Sequence, residues 1–169
     1  MPPLKSAVLV AAILAAGCQA PATKAPEAPA VDPLSVVDQY MAAWNAHDAA
    51  RAASFYAPDV TYFDASVGVP QVGKDSAQKN VVEAFLTAAP DCIWTRDTSF
   101  APIRSADGIA FRWTFSGTNT GPGWNGPKAT GKHFSFSGAT LIRLKGNKIS
   151  FQGDFYDAYG FYKQLGLAQ

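Results

Sequence analysis

The first long stretch of regular hydrophobic spacing predicts a helix. Apolar residues recur there at steps of three and four, which places them on one helical face. They are Val37, Tyr40, Met41, Trp44, Ala52 and Phe55. Asp32 and Pro33 are typical of an N-cap and a first helical position, so we expect one helix from 33 to about Tyr56. A second helix is predicted to begin at Asp75 as its N-cap, with Gln78 as the capping-box partner.

Runs of β-branched and aromatic residues predict strands around these helices, with tight-turn signals between the later ones. The predicted strands are 60–63 and about 93–104, 109–117, 132–144 and 148–157. A polar loop at 118–131 and a short C-terminal helix at about 158–166 complete the pattern. This order predicts an α+β fold, a cone-shaped barrel in which a curved, mostly antiparallel sheet wraps around the long N-terminal helix. The open end of such a cone favours a pocket.

The first 18 residues have the pattern of an export signal. Lys5 precedes an apolar run at 7–16, which is too short to span a bilayer well and suits the core of a secretory signal. The ending Leu14-Ala15-Ala16-Gly17-Cys18 resembles the lipobox of bacterial lipoproteins, a family in which the cysteine is lipidated and the chain is cut before it. The alternative is an ordinary signal that is cleaved near Ala16 and releases a soluble periplasmic protein.

Residues 19–32 are expected to form a tether, because prolines interleaved with alanine build neither a helix nor a sheet ladder. The folded domain is then expected at 33–169. Acyl chains on Cys18 would anchor the protein to a membrane. Gln19 after that cysteine resembles the pattern that is sorted to an outer membrane. We therefore expect a lipid-anchored protein of the bacterial cell envelope, on the outer membrane and facing the periplasm.

The composition excludes several classes of function. The formal net charge is +1, with 14 basic and 13 acidic residues and no basic patch, so we expect no nucleic-acid partner. The sequence has no metal-ligand spacing, no phosphate-binding loop and no Gly-x-Ser-x-Gly elbow. Metal sites, nucleotide binding and hydrolase chemistry are therefore not expected. Cys92 is read as a buried thiol and not as a nucleophile.

The last predicted strand carries two carboxylates among aromatic residues, where desolvating a charge is costly. Strand alternation places Ser150, Gln152, Asp154 and Tyr156 on one face, and Ile149, Phe151, Phe155 and Asp157 on the other. A bulge at Gly153 would alter this register. Asp154 is the favoured catalytic residue and Asp157 the reserve. The alternative, weighed equally, is that Asp154 forms a structural ion pair with Arg112, Arg143 or Lys132.

The other candidate site residues are polar or aromatic. They are Tyr40, Trp44, Tyr62, Asp64, Trp113, His133, Gln152 and Tyr156. Tyr40, Trp44 and Tyr62 are the preferred ligand-facing rings. Asp64 is either a second pocket carboxylate or, more in keeping with its position, a turn residue that bonds nearby backbone. His133 could polarise a carbonyl group, or it could simply be exposed. Trp124, in the polar loop, could cover the mouth of the pocket.

Four sequence motifs, in this order, resemble one known family. They are Trp44-Asn45-Ala46-His47-Asp48; Tyr56-Ala57-Pro58-Asp59-Val60 with Tyr62 and Asp64; Trp113-Thr114-Phe115-Ser116-Gly117-Thr118-Asn119-Thr120-Gly121 with Ala129-Thr130-Gly131-Lys132; and Lys148-Ile149 through Asp154 and Asp157 to Gln164-Leu165-Gly166. Together they resemble the SnoaL-like polyketide cyclases, or ester cyclases, of the nuclear-transport-factor-like superfamily. The resemblance spans roughly 34–166.

The resemblance implies a cone with a deep apolar cavity and, often, a homodimer through the outer sheet face. It also implies an intramolecular aldol condensation on a polyketide ester, with one aspartate as acid and base and with no metal or organic cofactor. Asp154 matches the position of that aspartate. Family members often carry a histidine and a tryptophan just before it, where this chain has Gln152 and Gly153.

Together these observations predict an exported domain with an apolar pocket. It would catalyse aldol cyclisation or isomerisation of a small apolar or aromatic carbonyl compound, polyketide-like in character, through Asp154. The alternative is a non-catalytic lipoprotein that uses the same cone to hold a ligand or a protein partner.

Overall fold

The computed structural model describes residues 32–122 and 128–168. The predicted export signal at 1–18 with Cys18, residues 19–31 of the predicted tether, and Trp124 lie outside these residues. Within residues 32–122 and 128–168, no helix is both long enough and apolar enough to cross a bilayer.

The N-terminal helical region consists of two helices, α1 (Pro33–Asn45) and α2 (Ala49–Ala53). The prediction of one helix to Tyr56 is therefore wrong. His47 takes a left-handed conformation with φ 55°, and its Nε2 lies 2.8 Å from the carbonyl oxygen of Cys92. Asp48 then caps α2 by accepting a hydrogen bond of 2.9 Å from the Arg51 backbone N–H. These local bonds compete with continuation of the helix, as short polar side chains often do.

The next helix, α3, runs through three consecutive segments, Lys74–Ala77, the π-helical turn Gln78–Glu83, and Ala84–Ala88. Asp75 lies in its first turn and Gly73, with φ 89°, takes the N-cap position, so the predicted capping box is wrong. The last helix, α4 (Ala158–Leu165), lies where it was predicted. Gly166 ends it with φ 72°, a conformation that favours glycine.

Seven strands form one sheet in the described part of the chain. They are β1 (Tyr56–Asp64), β2 (Gln71–Val72), β3 (Ile93–Arg96), β4 (Ile103–Arg104), β5 (Gly108–Thr118), β6 (His133–Lys145) and β7 (Lys148–Tyr156). Their order is β2-β1-β7-β6-β5-β3, and β4 also pairs with β5. The β1–β7 pair is parallel and the other described pairs are antiparallel. The α+β fold is confirmed, with a curved mixed sheet that does not close into a barrel.

Two strands differ from their predicted bounds. The predicted strand at about 93–104 is split into β3 and β4, because Asp97 turns the chain by accepting from the backbone N–H and the hydroxyl of Ser99. β1 begins four residues earlier than predicted, at Tyr56, and its pairing with β7 shifts between Tyr56 and Thr61.

A β-bulge in β7 sets the direction of its side chains. Leu144 pairs with Ile149 and Arg143 pairs with Phe151, so Ser150 is the extra residue. The bulge that was considered at Gly153 does not occur, since Gly153 pairs regularly with Leu141. Ile149 is fully buried, and its predicted placement on the face opposite Gln152 is also wrong.

Aromatic side chains fill the space between the helices and the concave face of the sheet. Tyr40 and Trp44 of α1 pack edge-on against Trp94, each with ring centroids 5.8 Å apart. Phe161 of α4 is fully buried and lies 4.7 Å from Phe136 between ring centroids. The helices and the sheet therefore enclose a core of aromatic rings.

Candidate active site

Asp154 is a buried carboxyl group with three side-chain donors. Tyr62 Oη donates to Oδ2 at 2.6 Å, and Thr140 Oγ1 donates to Oδ1 at 2.6 Å. Gln152 Nε2 donates to both oxygens, at 3.2 and 3.1 Å. Only 5% of the Asp154 surface is exposed. The described donors are neutral, so the carboxyl group is hydrogen-bonded without a compensating positive charge.

The alternative ion pair is not what the structure shows. Arg112 lies near Asp97, with 3.9 Å between Nε and Oδ2, and its guanidinium lies 4.0 Å from the centre of the Phe100 ring. Arg143 and Lys132 are exposed. The described ion pairs do not include Asp154.

The sheet register brings these groups together. Thr140 is opposite Asp154 in the β6–β7 pair, and Tyr62 is opposite Gln152 in the β1–β7 pair. Trp113 Nε1 donates to Thr140 Oγ1 at 2.7 Å. Because an indole N–H can only donate, the Thr140 hydroxyl accepts from Trp113 and directs its own hydrogen to Asp154. Sequence analysis missed Thr140, a buried hydroxyl in an apolar strand.

Asp64 is a second buried carboxyl group, opposite Asp154 in the parallel β1–β7 pair. Its Oδ1 accepts from the Ser66 backbone N–H at 2.9 Å, the Ser66 hydroxyl at 2.7 Å and the Val67 N–H at 3.2 Å. Tyr156 Oη also donates to the Asp64 carboxyl group, at 2.9 Å to Oδ1 and 3.1 Å to Oδ2. Asp64 therefore holds the turn after β1 and also lines the cavity.

Burial changes the proton affinity of this group of residues. Burial raises the pKa of Asp154 to about 7, and the negative charge of Asp64 is the second cause of this rise. The hydrogen bonds that Asp154 accepts act in the opposite direction and lower its pKa. The pKa of Asp64 is also raised by burial, against the effect of its donors. The pKa of Tyr62 lies well above 10 because of burial and then the charge of Asp154, so Tyr62 stays a donor. Asp154 is thus suited to gain and lose a proton near neutral pH.

The cavity beside Asp154 has a volume of about 30 Å³. It is lined by Trp44, Tyr62, Asp64, Phe85, Trp94, Trp113, Phe115, Phe136, Asp154 and Tyr156. Since a single water molecule needs roughly 10–15 Å³ by this kind of measure, the cavity has room for only about two or three waters. The deep pocket that the resemblance implied is therefore narrow in this conformation, because aromatic side chains fill it.

Five of the proposed ligand-binding residues, Trp44, Tyr62, Asp64, Trp113 and Tyr156, line this cavity. Tyr40 and Gln152 lie behind the lining. The Tyr40 hydroxyl is 2.6 Å from that of Tyr56, and Gln152 is fully buried beside Asp154.

Asp157 and His133 do not face the cavity, which corrects two of the predicted site residues. Asp157 is exposed, and its Oδ1 caps α4 by accepting from the Gly160 N–H at 2.8 Å. His133 is exposed at the start of β6, with its ring over that of Phe134. Cys92 is a buried thiol, and burial raises its pKa to about 12. Within the described residues, no cluster of His, Cys, Asp and Glu could hold a metal ion.

The chain belongs to the SnoaL-like domain family, whose sequence model matches residues 37–152. The predicted family is therefore confirmed. A search of curated proteins found no match.

Solved structures with the same fold cover nearly the whole domain. A hypothetical protein from Catenulispora acidiphila, with a ketosteroid isomerase-like fold and in complex with trimethylamine, has a TM-score of 0.66 at 20% identity, over 80% of this chain and 95% of its own. IdmH from Streptomyces antibioticus, named a "putative polyketide cyclase", has a TM-score of 0.65 at 19% identity, and the match covers 80% of this chain and 99% of IdmH. TerC, co-crystallised with polyporic acid, has a TM-score of 0.63 at 13% identity, and the match covers 79% of this chain and 98% of TerC. At these identities the likeness shows the fold alone.

Replacing Asp154 by asparagine is expected to change how stability depends on pH. Because the folded-state pKa of about 7 lies above the usual 3.8, the stabilising effect of protonation is complete below about pH 4 and is lost as the pH rises through about 7. Asparagine does not titrate, so the Asp154→Asn variant does not lose this stability. Between about pH 5 and about pH 8, the difference in unfolding free energy between the variant and the wild type should therefore change by about 2–3 kcal/mol in favour of the variant. Urea unfolding at both pH values measures this.

Asp157→Asn is the matched control for this measurement, because it removes an exposed carboxylate from the same segment. If the difference in stability between the wild type and Asp154→Asn is the same at both pH values, Asp154 does not have a raised pKa.

Replacing Asp64 by asparagine is expected to lower the pKa of Asp154, because the Asp64 charge is one of the two causes that raise it. The amide oxygen can still accept from the turn, so the turn after β1 should persist. The stability gained by Asp154→Asn as the pH rises should therefore appear at lower pH when it is measured in a protein that also carries Asp64→Asn. An unchanged range would show that the two carboxyl groups do not interact.

Proposed function

We propose that this protein is an acid–base enzyme of the cyclase or isomerase type. Asp154 would remove a proton next to the carbonyl group of a small apolar or aromatic compound and then return it. The observation that carries this proposal is a buried carboxyl group in an aromatic cavity, with a pKa of about 7 and neutral hydrogen-bond donors as its described partners.

The proton affinity of Asp154 suits both halves of this reaction. A general base works best when its pKa lies near the working pH, because it is then available in both protonation states. As the carboxylate breaks the substrate C–H bond, it takes the proton and leaves an enolate. In a cyclisation the enolate carbon attacks a second carbonyl group, and the new alkoxide takes the proton back. In an isomerisation the proton returns to a different carbon.

Substrate binding requires the cavity to widen, because about 30 Å³ is far too small for an aromatic compound. Phe136 and Tyr156 are half-buried members of the lining, stacked with ring centroids 4.6 Å apart. Phe161 of α4 packs against both rings, with ring centroids 4.7 Å from Phe136 and 6.3 Å from Tyr156. Movement of α4 away from these two rings would open the cavity toward solvent.

The structural neighbours support this proposal at the level of fold. One is named a "putative polyketide cyclase" and another has a ketosteroid isomerase-like fold, and two were crystallised with small molecules. A fold hosts many functions, however, so the site carries the proposal.

A second function, non-catalytic binding of a ligand or a protein partner in the same cone, is favoured by the narrow cavity. Aromatic rings already occupy most of the space beside Asp154. In this proposal the buried carboxyl group orders the polar residues of the core and performs no proton transfer.

The outer face of the sheet is proposed as a homodimer interface. A row of apolar or small residues crosses four strands there, since Ile103 pairs with Ala110, Ala110 with Leu141, and Leu141 with Gly153. Ile103 is 77% exposed and Phe155 is 47% exposed. Exposed apolar surface of this kind is typical of an interaction surface.

The catalytic proposal predicts proton exchange next to a carbonyl group. In D₂O the protein should speed deuterium incorporation at the α-carbon of a ketone from a panel of acetophenone, 1-indanone and 2-tetralone, followed by proton NMR. Asp154→Asn should lower the rate by at least about 100-fold, the usual contribution of a general base. The wild-type rate should rise with pH through about 7, as the carboxylate forms.

Asp157→Asn is the control and should keep the wild-type rate, because Asp157 caps α4 away from the cavity. A ketone that saturates the protein without any exchange above the buffer rate would contradict catalysis and favour the binding function.

We also propose that the protein is lipid-anchored in the cell envelope through Cys18, which lies outside the described residues. This rests on the lipobox-like sequence alone. Cys18→Ser should abolish lipidation, so that the protein no longer partitions into the detergent phase when cells are extracted. A serine variant that still partitions with the membrane fraction would contradict the anchor.

A further inference from the structure

A chain of two hydrogen bonds joins the indole of Trp113 to the carboxyl group of Asp154. Trp113 Nε1 donates to Thr140 Oγ1 at 2.7 Å, and Thr140 Oγ1 donates to Asp154 Oδ1 at 2.6 Å. All three side chains are buried. The partners that the protein supplies therefore decide the direction of each bond.

The chemistry of these groups fixes the direction of the chain. An indole N–H can only donate, whereas a hydroxyl has one hydrogen and two acceptor lone pairs. The Thr140 hydroxyl cannot turn its hydrogen toward Trp113, because the indole N–H already points there. A buried hydroxyl hydrogen that is turned away from its acceptor is costly. Thr140 therefore remains a donor to Oδ1 in both protonation states of Asp154.

The two oxygens of Asp154 differ for this reason. Oδ2 accepts from the Tyr62 hydroxyl at 2.6 Å, and among the described residues no donor bonds to that hydroxyl. Tyr62 can therefore turn and accept a hydrogen from Oδ2, which Thr140 cannot do for Oδ1. Gln152 Nε2 donates to both oxygens, at 3.2 and 3.1 Å, and does not distinguish them. A proton on Asp154 is thus best placed on Oδ2.

The other titratable groups that face Asp154 come from α1, β1 and β7. They are Tyr40, Tyr56, Tyr62, Asp64 and Tyr156. Burial raises the pKa of all four tyrosines above the usual 10, so their hydroxyls keep their hydrogens near neutral pH. The charge of Asp64 raises the proton affinity of the Asp154 carboxyl group as a whole. The hydrogen-bond partners are left to choose between its two oxygens.

We propose that Trp113 is a positioning residue: through Thr140 it keeps Asp154 Oδ1 an acceptor and makes Oδ2, beside Tyr62, the oxygen that carries the proton. The use of Oδ2 in catalysis rests on the proposed function of Asp154. In that reaction the substrate C–H bond breaks, its electrons move onto the carbonyl oxygen, and the proton bonds to Oδ2. The proton leaves Oδ2 when the new C–H or O–H bond forms. Trp113 and Thr140 keep their own hydrogens throughout.

The first test follows the Trp113 indole in the full-length wild-type protein labelled with ¹⁵N. The chain has four tryptophans, and the signal that is lost in Trp113→Phe is that of Trp113. When Asp154 ionises, Thr140 donates more strongly and its oxygen becomes a better acceptor. The Trp113 indole proton should therefore move downfield as the pH rises through about 7, and it should not do so in Asp154→Asn. A Trp113 signal that stays constant while the Asp154 carboxyl ¹³C signal titrates overturns the inference.

The second test measures the Asp154 ¹³C midpoint in variants of the chain. Thr140→Val removes the hydroxyl at nearly constant volume and should raise the midpoint by about one to two pH units, as expected for loss of a hydrogen bond to a charged group. Trp113→Phe leaves the Thr140 hydroxyl free to turn and should raise the midpoint by at least about half a unit. Added to Thr140→Val, it should change the midpoint by less than about 0.3 unit, because the chain is already broken.

Two controls separate this role from packing. Trp94 lines the same cavity and packs edge-on against Trp113 at 6.1 Å between ring centroids, and the hydrogen bonds of Thr140 do not include it. Trp94→Phe removes the same atoms as Trp113→Phe, and Thr140→Ser keeps the hydroxyl, so both should leave the midpoint within about 0.3 unit of the wild type. Equal shifts in the two tryptophan variants, or a Trp113→Phe shift that persists beside Thr140→Val, overturn the inference.

Kinetics distinguishes this inference from the proposed function. The pH midpoint of ketone α-proton exchange in Trp113→Phe should shift by the same amount as the ¹³C midpoint. A shift of the ¹³C midpoint without a shift of the exchange midpoint, or without any exchange in the wild type, overturns the catalytic role of Asp154 and supports the positioning role of Trp113. Exchange in the wild type, with neither midpoint shifted in Trp113→Phe, overturns the role of Trp113 alone.

Discussion

The burial of one carboxyl group, Asp154, shapes the polar interior of this domain. An ionised carboxylate removed from water is costly unless other groups replace its hydration. Here the replacement consists of Tyr62, Thr140 and Gln152, all neutral donors. They satisfy the oxygens without cancelling the charge, and Asp64 adds a second negative charge nearby. As a result, the neighbouring side chains fix the position of the Asp154 carboxyl group. At neutral pH its protonated and ionised forms are present in nearly equal amounts.

The bulge at Ser150 makes this arrangement geometrically possible. Without the extra residue, a regular hairpin that pairs Leu144 with Ile149 would place Ala139 opposite Asp154 and would turn Asp154 toward the outer face. With it, Thr140 becomes the partner and Asp154 points into the ring-lined core. One unpaired residue near the tight turn therefore decides both which hydroxyl reaches the carboxyl group and which face of the sheet carries it.

Much of this fold could be predicted from periodicity. The order of the main helices and strands, the position of the last helix and the inward direction of Gln152, Asp154 and Tyr156 follow from sequence. The bulge could not be located, because Ser150 has no local signal and the glycine at 153 was the more plausible position. The break at His47 depends on its contact with Cys92, 45 residues away. Thr140 and the donors around Asp154 depend on strand register, and the narrowness of the cavity depends on how the rings pack.

The central claim is that Asp154 exchanges its proton near neutral pH because it is buried among neutral donors. Carboxyl ¹³C NMR of aspartate-labelled wild-type protein, with the Asp154 signal identified by its loss in the asparagine variant, measures this most directly. A titration midpoint of about 7 is the predicted result. A midpoint near 4, the ordinary value for an aspartate in water, would contradict it.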